Sequence, residues 1–182
     1  KKEIILGINI PEIKGNFRKL CKAIGQKNIT EFSYRLDKTE EAKILVGLEL
    51  AQGPKAKGAF LKSMKNKKYK VSDYSDDEIS KVHLRYMSGG RGPELPKDKI
   101  EEVFKVDFPE RPGALAQFLD LLRDKWNISL FHYKNQGSIY GGALVGFSIY
   151  KNELEKLNKD LLKTEYPFLR VTENAGYQDF LK

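Results

Sequence analysis

Apolar and polar residues alternate at Ile4, Leu6, Ile8 and Ile10, and again at Ile44, Val46, Leu48 and Leu50. A period of two is the spacing of a half-buried strand, so both runs predict strands. Between them Phe17, Leu20, Cys21 and Ile24 recur with helical spacing, which predicts a helix over 16–24 with Gly25 as its stop. Residues 28–36 read as a second strand, followed by a polar turn at 37–40. Gly53-Pro54 breaks the pattern before a helix over 55–65, with Phe60, Leu61 and Met64 on its apolar side, and a short strand follows over 69–74. The order is βαββαβ, a ferredoxin-like arrangement in which an antiparallel sheet carries two helices on one face.

The same order returns in the second half of the chain. Strands are predicted over 102–108, 127–134, 142–150 and 167–172, with helices over 114–125 and 153–162. The tail to Phe180-Leu181 is expected to dock as a short turn. Individual residues also repeat. Pro11, Glu12 and Gly15 are matched 98 positions later by Pro109, Glu110 and Gly113. Asn28, Ile29, Phe32 and Tyr34 are matched 99 positions later by Asn127, Ile128, Phe131 and Tyr133, and Val46-Gly47 by Val145-Gly146. The chain is a duplicated unit, and two copies predict a pair of packed subdomains rather than a solenoid. Subdomain boundaries are expected at 1–74 and 99–182. The stretch 75–98 then comprises a helix over 75–87 outside either repeat and a Gly/Pro-rich joint over 88–96.

Composition changes this picture little. The 182 residues suffice for one ordinary domain or two small ones, and no run is long enough for a membrane-spanning helix. Cys21 is the only cysteine, so an internal disulfide is impossible and nothing points to secretion. It reads as a packing residue of the first helix. The net charge of +8 brings nucleic acid into consideration. Lys55, Lys57, Lys62, Lys65, Lys67, Lys68 and Lys70 nevertheless read as one solvated face.

Where a ligand could sit is suggested by the loop before each first helix. Gly15 and Gly113 permit close approach, and a helix start offers unpaired backbone N–H groups that favour an anion. Asn16 and Phe17, or Ala114 and Leu115, can supply wall and donors, while Tyr34 and Tyr133 each offer a ring face and a hydroxyl. An enzyme reading is weak: there is no phosphate-binding glycine loop, and His83 and His132 lie apart without a metal-ligand cluster. RNA binding is the alternative, because RNA-recognition modules share the βαββαβ order. They need aromatic platforms on the central strands. AKILVGLEL and GGALVGFSI contain Phe147 alone.

The strings FPERPGALAQFLD, WNISLFHY and HLRYMSGGR, together with IPEIKGNF and ITEFSYR in the first copy, resemble the C-terminal regulatory region of biosynthetic threonine dehydratase. The resemblance covers nearly the whole chain in the same order. It implies two tandem ACT-like subdomains in an α+β fold, sensing isoleucine as inhibitor and valine as antagonist or activator. It also implies a separate catalytic domain carrying pyridoxal phosphate, with no cofactor in this region. The partners implied are that domain and further copies of the chain, a tetramer in the full-length family, with neither nucleic acid nor membrane. The compartment implied is the cytoplasm, or a plastid or mitochondrion in a eukaryote. Carried over residue by residue, the effector pockets fall at Tyr34 with Arg35 and at Tyr133 with Lys134, and Arg85 is linked to feedback control. The family commonly has arginine where this chain has Lys134, which keeps the charge but loses the planar fork that grips a carboxylate twice.

Overall fold

Residues 2–37, 40–50, 54–81, 90–109, 111–135 and 140–182 are described by a computed structural model. The first copy runs β1 (Lys2–Pro11), α1 (Asn16–Ile24), β2 (Asn28–Arg35), β3 (Glu41–Leu50), α2 (Pro54–Asn66) and β4 (Lys70–Asp73). The second runs β5 (Lys99–Pro109), α3 (Ala114–Leu122), β6 (Asn127–Lys134), β7 (Tyr140–Tyr150), α4 (Leu154–Leu162) and β8 (Phe168–Arg170), closed by α5 (Ala175–Phe180). The α+β class and the ferredoxin-like order of each copy are as the alternation predicts.

The copies do not keep separate sheets. One eight-stranded sheet has the order β4-β1-β3-β2-β6-β7-β5-β8, antiparallel at every pairing. Each ferredoxin-like sheet would leave its second strand as an open edge, and pairing β2 with β6 removes both edges. The register of that pair reveals an approximate two-fold relation. Ser33 faces His132, its own counterpart in the other copy, while Phe32 faces Tyr133 and Tyr34 faces Phe131. The helix layer repeats the relation, because Lys22 and Asp120 are counterparts and meet at 2.9 Å.

Both helix layers lie over one core. Phe17 of α1 packs against Phe32 and Tyr34 of its own copy and Phe131 of the other, with ring centroids 5.1, 5.3 and 5.4 Å away. The apolar stripe that predicts α1 is buried as Phe17, Leu20, Cys21 and Ile24, and the matching stripe of α3 as Leu115, Phe118, Leu119 and Leu122. At about 25 cal/mol per Å² of apolar surface, this shared core binds the copies far more strongly than the ion pairs between the helices.

One expectation needs correction. The helix from Ala114 stops at Leu122, short of Lys125, because Arg123 and Asp124 turn left-handed (φ 53° and 55°). Asp124 is then drawn sideways onto Arg18, 2.7 Å away. Of the helix expected over 75–87 and the joint over 88–96, residues 82–89 lie outside the described residues; within 75–81, contacts correspond between the copies. Ser75 accepts the N–H of Ile5 as Thr172 accepts that of Val103. Asp77 caps the turn at Ser80 as Asn174 caps α5 at Tyr177. Each copy therefore returns across the back of its sheet. The counterparts share capping chemistry but little identity, which is why the repeat is hard to see there in sequence.

Candidate functional site

Two clefts open on the helix side of the seam, and they are counterparts. The first is lined by Ile10 to Gly15, Phe17, Arg18 and Tyr34 of the first copy and by Leu119, Leu122, Asp124 and Trp126 to Ile128 of the second. In the other, Phe108, Pro109, Arg111, Gly113 to Leu115, Phe131 and Tyr133 of the second copy meet Lys27, Asn28 and Ile29 of the first. Each cleft thus takes its loop, helix start and tyrosine from one copy and its Asn-Ile pair from the other.

The loops place backbone donors at the cleft floors. Gly15 and Gly113 cap α1 and α3 in the left-handed region, φ 90° and 83°, which an L side chain resists. Among the described residues neither helix start receives a side-chain cap; the Asn16 and Ala114 N–H groups donate to the Ile13 and Arg111 carbonyls, and the next two amides of each helix, Phe17 and Arg18 or Leu115 and Ala116, remain for a ligand or water. A Cβ on Gly15 would approach the Asp124 carboxyl, and one on Gly113 would collide with the Gln26 amide. Asp124 and Gln26 are themselves counterparts, so each loop is pinned against the helix end of the opposite copy. Asn16 does not line the first cleft; its amide donates to the Pro11 carbonyl at 3.1 Å and steadies the loop.

The first cleft holds a half-buried acid, Glu12. The Tyr34 hydroxyl donates to Glu12 Oε1 at 2.7 Å and lies 3.2 Å from the carbonyl oxygen of Ile128, across the seam. Burial pushes the Glu12 carboxyl above its ordinary range, partly opposed by the hydrogen bond from Tyr34. Burial and the same acid push the Tyr34 phenol up, so it stays a neutral donor. Glu12 Oε2 is buried and has no hydrogen-bond partner among the described residues. Arg18 at the rim is occupied by Asp120 at 2.5 Å and Asp124 at 2.7 Å. Trp126, 7% exposed, is held by a hydrogen bond from its indole N–H to Asp160, 3.2 Å.

Of the residues expected in pockets, Gly15, Phe17 and Tyr34 line the first cleft and Gly113, Ala114, Leu115 and Tyr133 the second. Arg35 and Lys134 are not brought into either cleft. Successive strand residues point to opposite faces, so the residue after each tyrosine lies behind the sheet. There Arg35 is buried against Glu101, the main-chain carbonyl of Leu181 and the Ser129 carbonyl. Arg85 lies outside the described residues. Sequence reasoning missed Glu12, Trp126 and the Asn28-Ile29 and Asn127-Ile128 pairs as cleft walls. The duplicated Asn-Ile was the available signal, but only the β2–β6 pairing shows that it serves the opposite copy.

Among the described residues no cluster of three or more His, Cys, Asp or Glu could hold a metal, and no helix is long and apolar enough to cross a membrane. Cys21 is buried and its thiol is pushed up by desolvation. Phe147 is fully buried and offers no ring to a base.

Comparison with known proteins places these features in a family. The sequence pattern of the C-terminal regulatory domain of threonine dehydratase matches residues 1–84 and 94–181. The chain is 39% identical over 180 residues to the biosynthetic L-threonine dehydratase of Burkholderia multivorans, covering 99% of this chain and 35% of that protein. Its likeness to the Escherichia coli enzyme is also 39%, over 181 residues, 100% of this chain and 34% of that one. The chloroplastic threonine dehydratase of Arabidopsis thaliana is 33% identical over 178 residues, 98% of this chain and 29% of its own. The chain thus spans about a third of the length of these curated relatives.

Proposed function

The chain belongs to the family of C-terminal regulatory domains of threonine dehydratase, and from that premise we propose that its two seam clefts bind isoleucine and valine. The observation that carries this reading is the shared construction of each cleft, half from either copy. A ligand there touches both copies at once and can bias how one packs on the other.

The chemistry of the first cleft suits a small zwitterion. Phe17, Leu119, Leu122 and Trp126 supply apolar wall, the uncapped start of α1 supplies donors for a carboxylate, and Glu12 supplies an acid. Regulation requires that affinity differ between two arrangements of the seam, with a typical coupling of about 1–3 kcal/mol. Isoleucine and valine differ by one methylene, worth about 0.8 kcal/mol when buried. Affinity alone separates them poorly. Both therefore bind, with opposite effects because they favour different arrangements.

In the whole protein this region would act on a catalytic domain that uses pyridoxal phosphate to convert threonine to 2-oxobutanoate and ammonia. That assembly would be a homo-oligomer, cytoplasmic in a bacterium and in a plastid or mitochondrion in a eukaryote. Calorimetric titration of the chain with isoleucine, valine and threonine tests the reading. Saturable binding of isoleucine and valine, and none of threonine, is expected; no heat with either branched amino acid would sink it.

A further inference from the structure

We propose that Glu12 decides what the first cleft accepts: its unpaired Oε2 receives the ammonium of an α-amino acid, so that the corresponding acid without an amine is rejected. This rests on the reading of the clefts as amino-acid sites and adds the residue and the chemical class it selects.

A buried carboxylate oxygen ordinarily finds a donor, even where the rest of its residue is partly exposed. Glu12 fills one side only, with the Tyr34 hydroxyl on Oε1, while Oε2 is shut from water without a partner. The carboxylate cannot simply swing out to solvent without giving up Tyr34, and its backbone is fixed as well. The Glu12 N–H donates to the Glu40 carbonyl at 2.8 Å, and the preceding Pro11 carbonyl accepts both Asn16 Nδ2 and the Ile13 N–H. The rim arginine, Arg18, is already taken by two aspartates. Lys14 also lines the cleft, but no hydrogen bond joins it to Oε2, so what this oxygen lacks is a cation small enough to reach it.

An ammonium carries three donors. One suits Glu12 Oε2, and the Ile128 carbonyl beside the Tyr34 hydroxyl is a second acceptor on the opposite wall. The uncapped start of α1 takes the other charge of a zwitterion. A simple carboxylic acid with the same side chain leaves Oε2 as it is. A 2-oxo acid is worse, since its carbonyl would set an acceptor against an acceptor. The counterpart of Glu12, Glu110, lies outside the described residues, so the assignment concerns the first cleft.

Trp126 makes that cleft separately observable. It is the only tryptophan in the chain and lines the first cleft but not the second. The test follows its fluorescence in the full chain during titration with isoleucine and with 3-methylpentanoate, which has the same side chain and no amine. In the parent, isoleucine binds about tenfold or more tighter than 3-methylpentanoate. In Glu12→Gln, isoleucine weakens about tenfold and the two ligands come within about threefold of each other. A Gln variant that keeps the parent's preference overturns the assignment while leaving the cleft an amino-acid site. A parent whose Trp126 emission and calorimetry both ignore isoleucine overturns that reading too. Circular dichroism checks the fold. If Glu12→Gln does not fold, Glu12→Asp retains the charge but draws it back: isoleucine then weakens while 3-methylpentanoate does not, and equal weakening of both overturns the proposal.

Discussion

Arg35 and Glu101 come from different copies of the repeat and are joined by two hydrogen bonds, Nη1 to Oε1 at 2.6 Å and Nη2 to Oε2 at 3.0 Å. The pair is buried, with side chains 4% and 10% exposed. Ser129 and Tyr177 also donate to Glu101, and the Leu181 carbonyl accepts from Arg35 at 2.6 Å. Arg35 follows Tyr34 in β2. The first cleft and this latch therefore sit back to back on the same seam, one on either side of a single strand.

Breaking the latch leaves a buried charge without its partner. Arg35→Met is expected to destabilise the chain by about 3–5 kcal/mol, read from urea denaturation. Pairing it with Glu101→Leu removes both charges, and the double variant should lose less than Arg35→Met alone. A single variant within ~0.5 kcal/mol of the parent would contradict the latch.

Gly92 lets the joint cross this latch. A Cβ there would stand 2.2 Å from Arg35 Nη2, and the guanidinium cannot withdraw because Glu101 and Leu181 clamp it. Gly92→Ala should cost about 1–3 kcal/mol as overpacking, whereas Gly58→Ala in α2, where a Cβ meets nothing within 4 Å, should not destabilise. Thermal melts of the two variants compare them directly.

Asp160 supports the wall of the first cleft through Trp126. Burial alone would raise its carboxyl, but hydrogen bonds from Lys163, Lys125 and Trp126 prevail and hold it below the ordinary 3.8. A depressed folded value means stability that is present above the unfolded value and lost as pH falls through the folded one. Asp160→Asn should therefore cost roughly 1–3 kcal/mol near neutrality, with the gap to the parent closing at pH below about 4. Denaturation midpoints from pH 7 down to pH 3 check the sign; a gap that widens in acid would contradict it.

Much of this arrangement is legible in the chain. Alternation at Ile4 to Ile10 and helical spacing at Phe17 to Ile24 follow from one-sided burial, and the Pro-Glu and Asn-Ile repeats disclose the duplication. Alternation also separates Tyr34 from Arg35, so a pocket containing both conflicts with strand geometry from the start. What sequence does not carry is the β2–β6 pairing, since any two edge strands could meet. Without that pairing Asn127 and Ile128 cannot be assigned to the cleft of Tyr34. The open valence of Glu12 is likewise a property of packing.

The two tyrosines provide a functional check. Tyr34→Leu removes the hydroxyl that orients Glu12, and Tyr133→Leu removes ring surface from the second cleft. Each should weaken isoleucine by about tenfold at its own cleft, or about 1.4 kcal/mol. Calorimetry that finds both variants equal to the parent would place the site elsewhere.

Amide hydrogen exchange with and without isoleucine locates the ligand without assuming where it sits. New protection is expected at 10–18 and 126–129 for the first cleft and at 27–30 and 108–115 for the second, with a different pattern for valine. Protection confined to other segments, or identical patterns for the two amino acids, would contradict the proposed function.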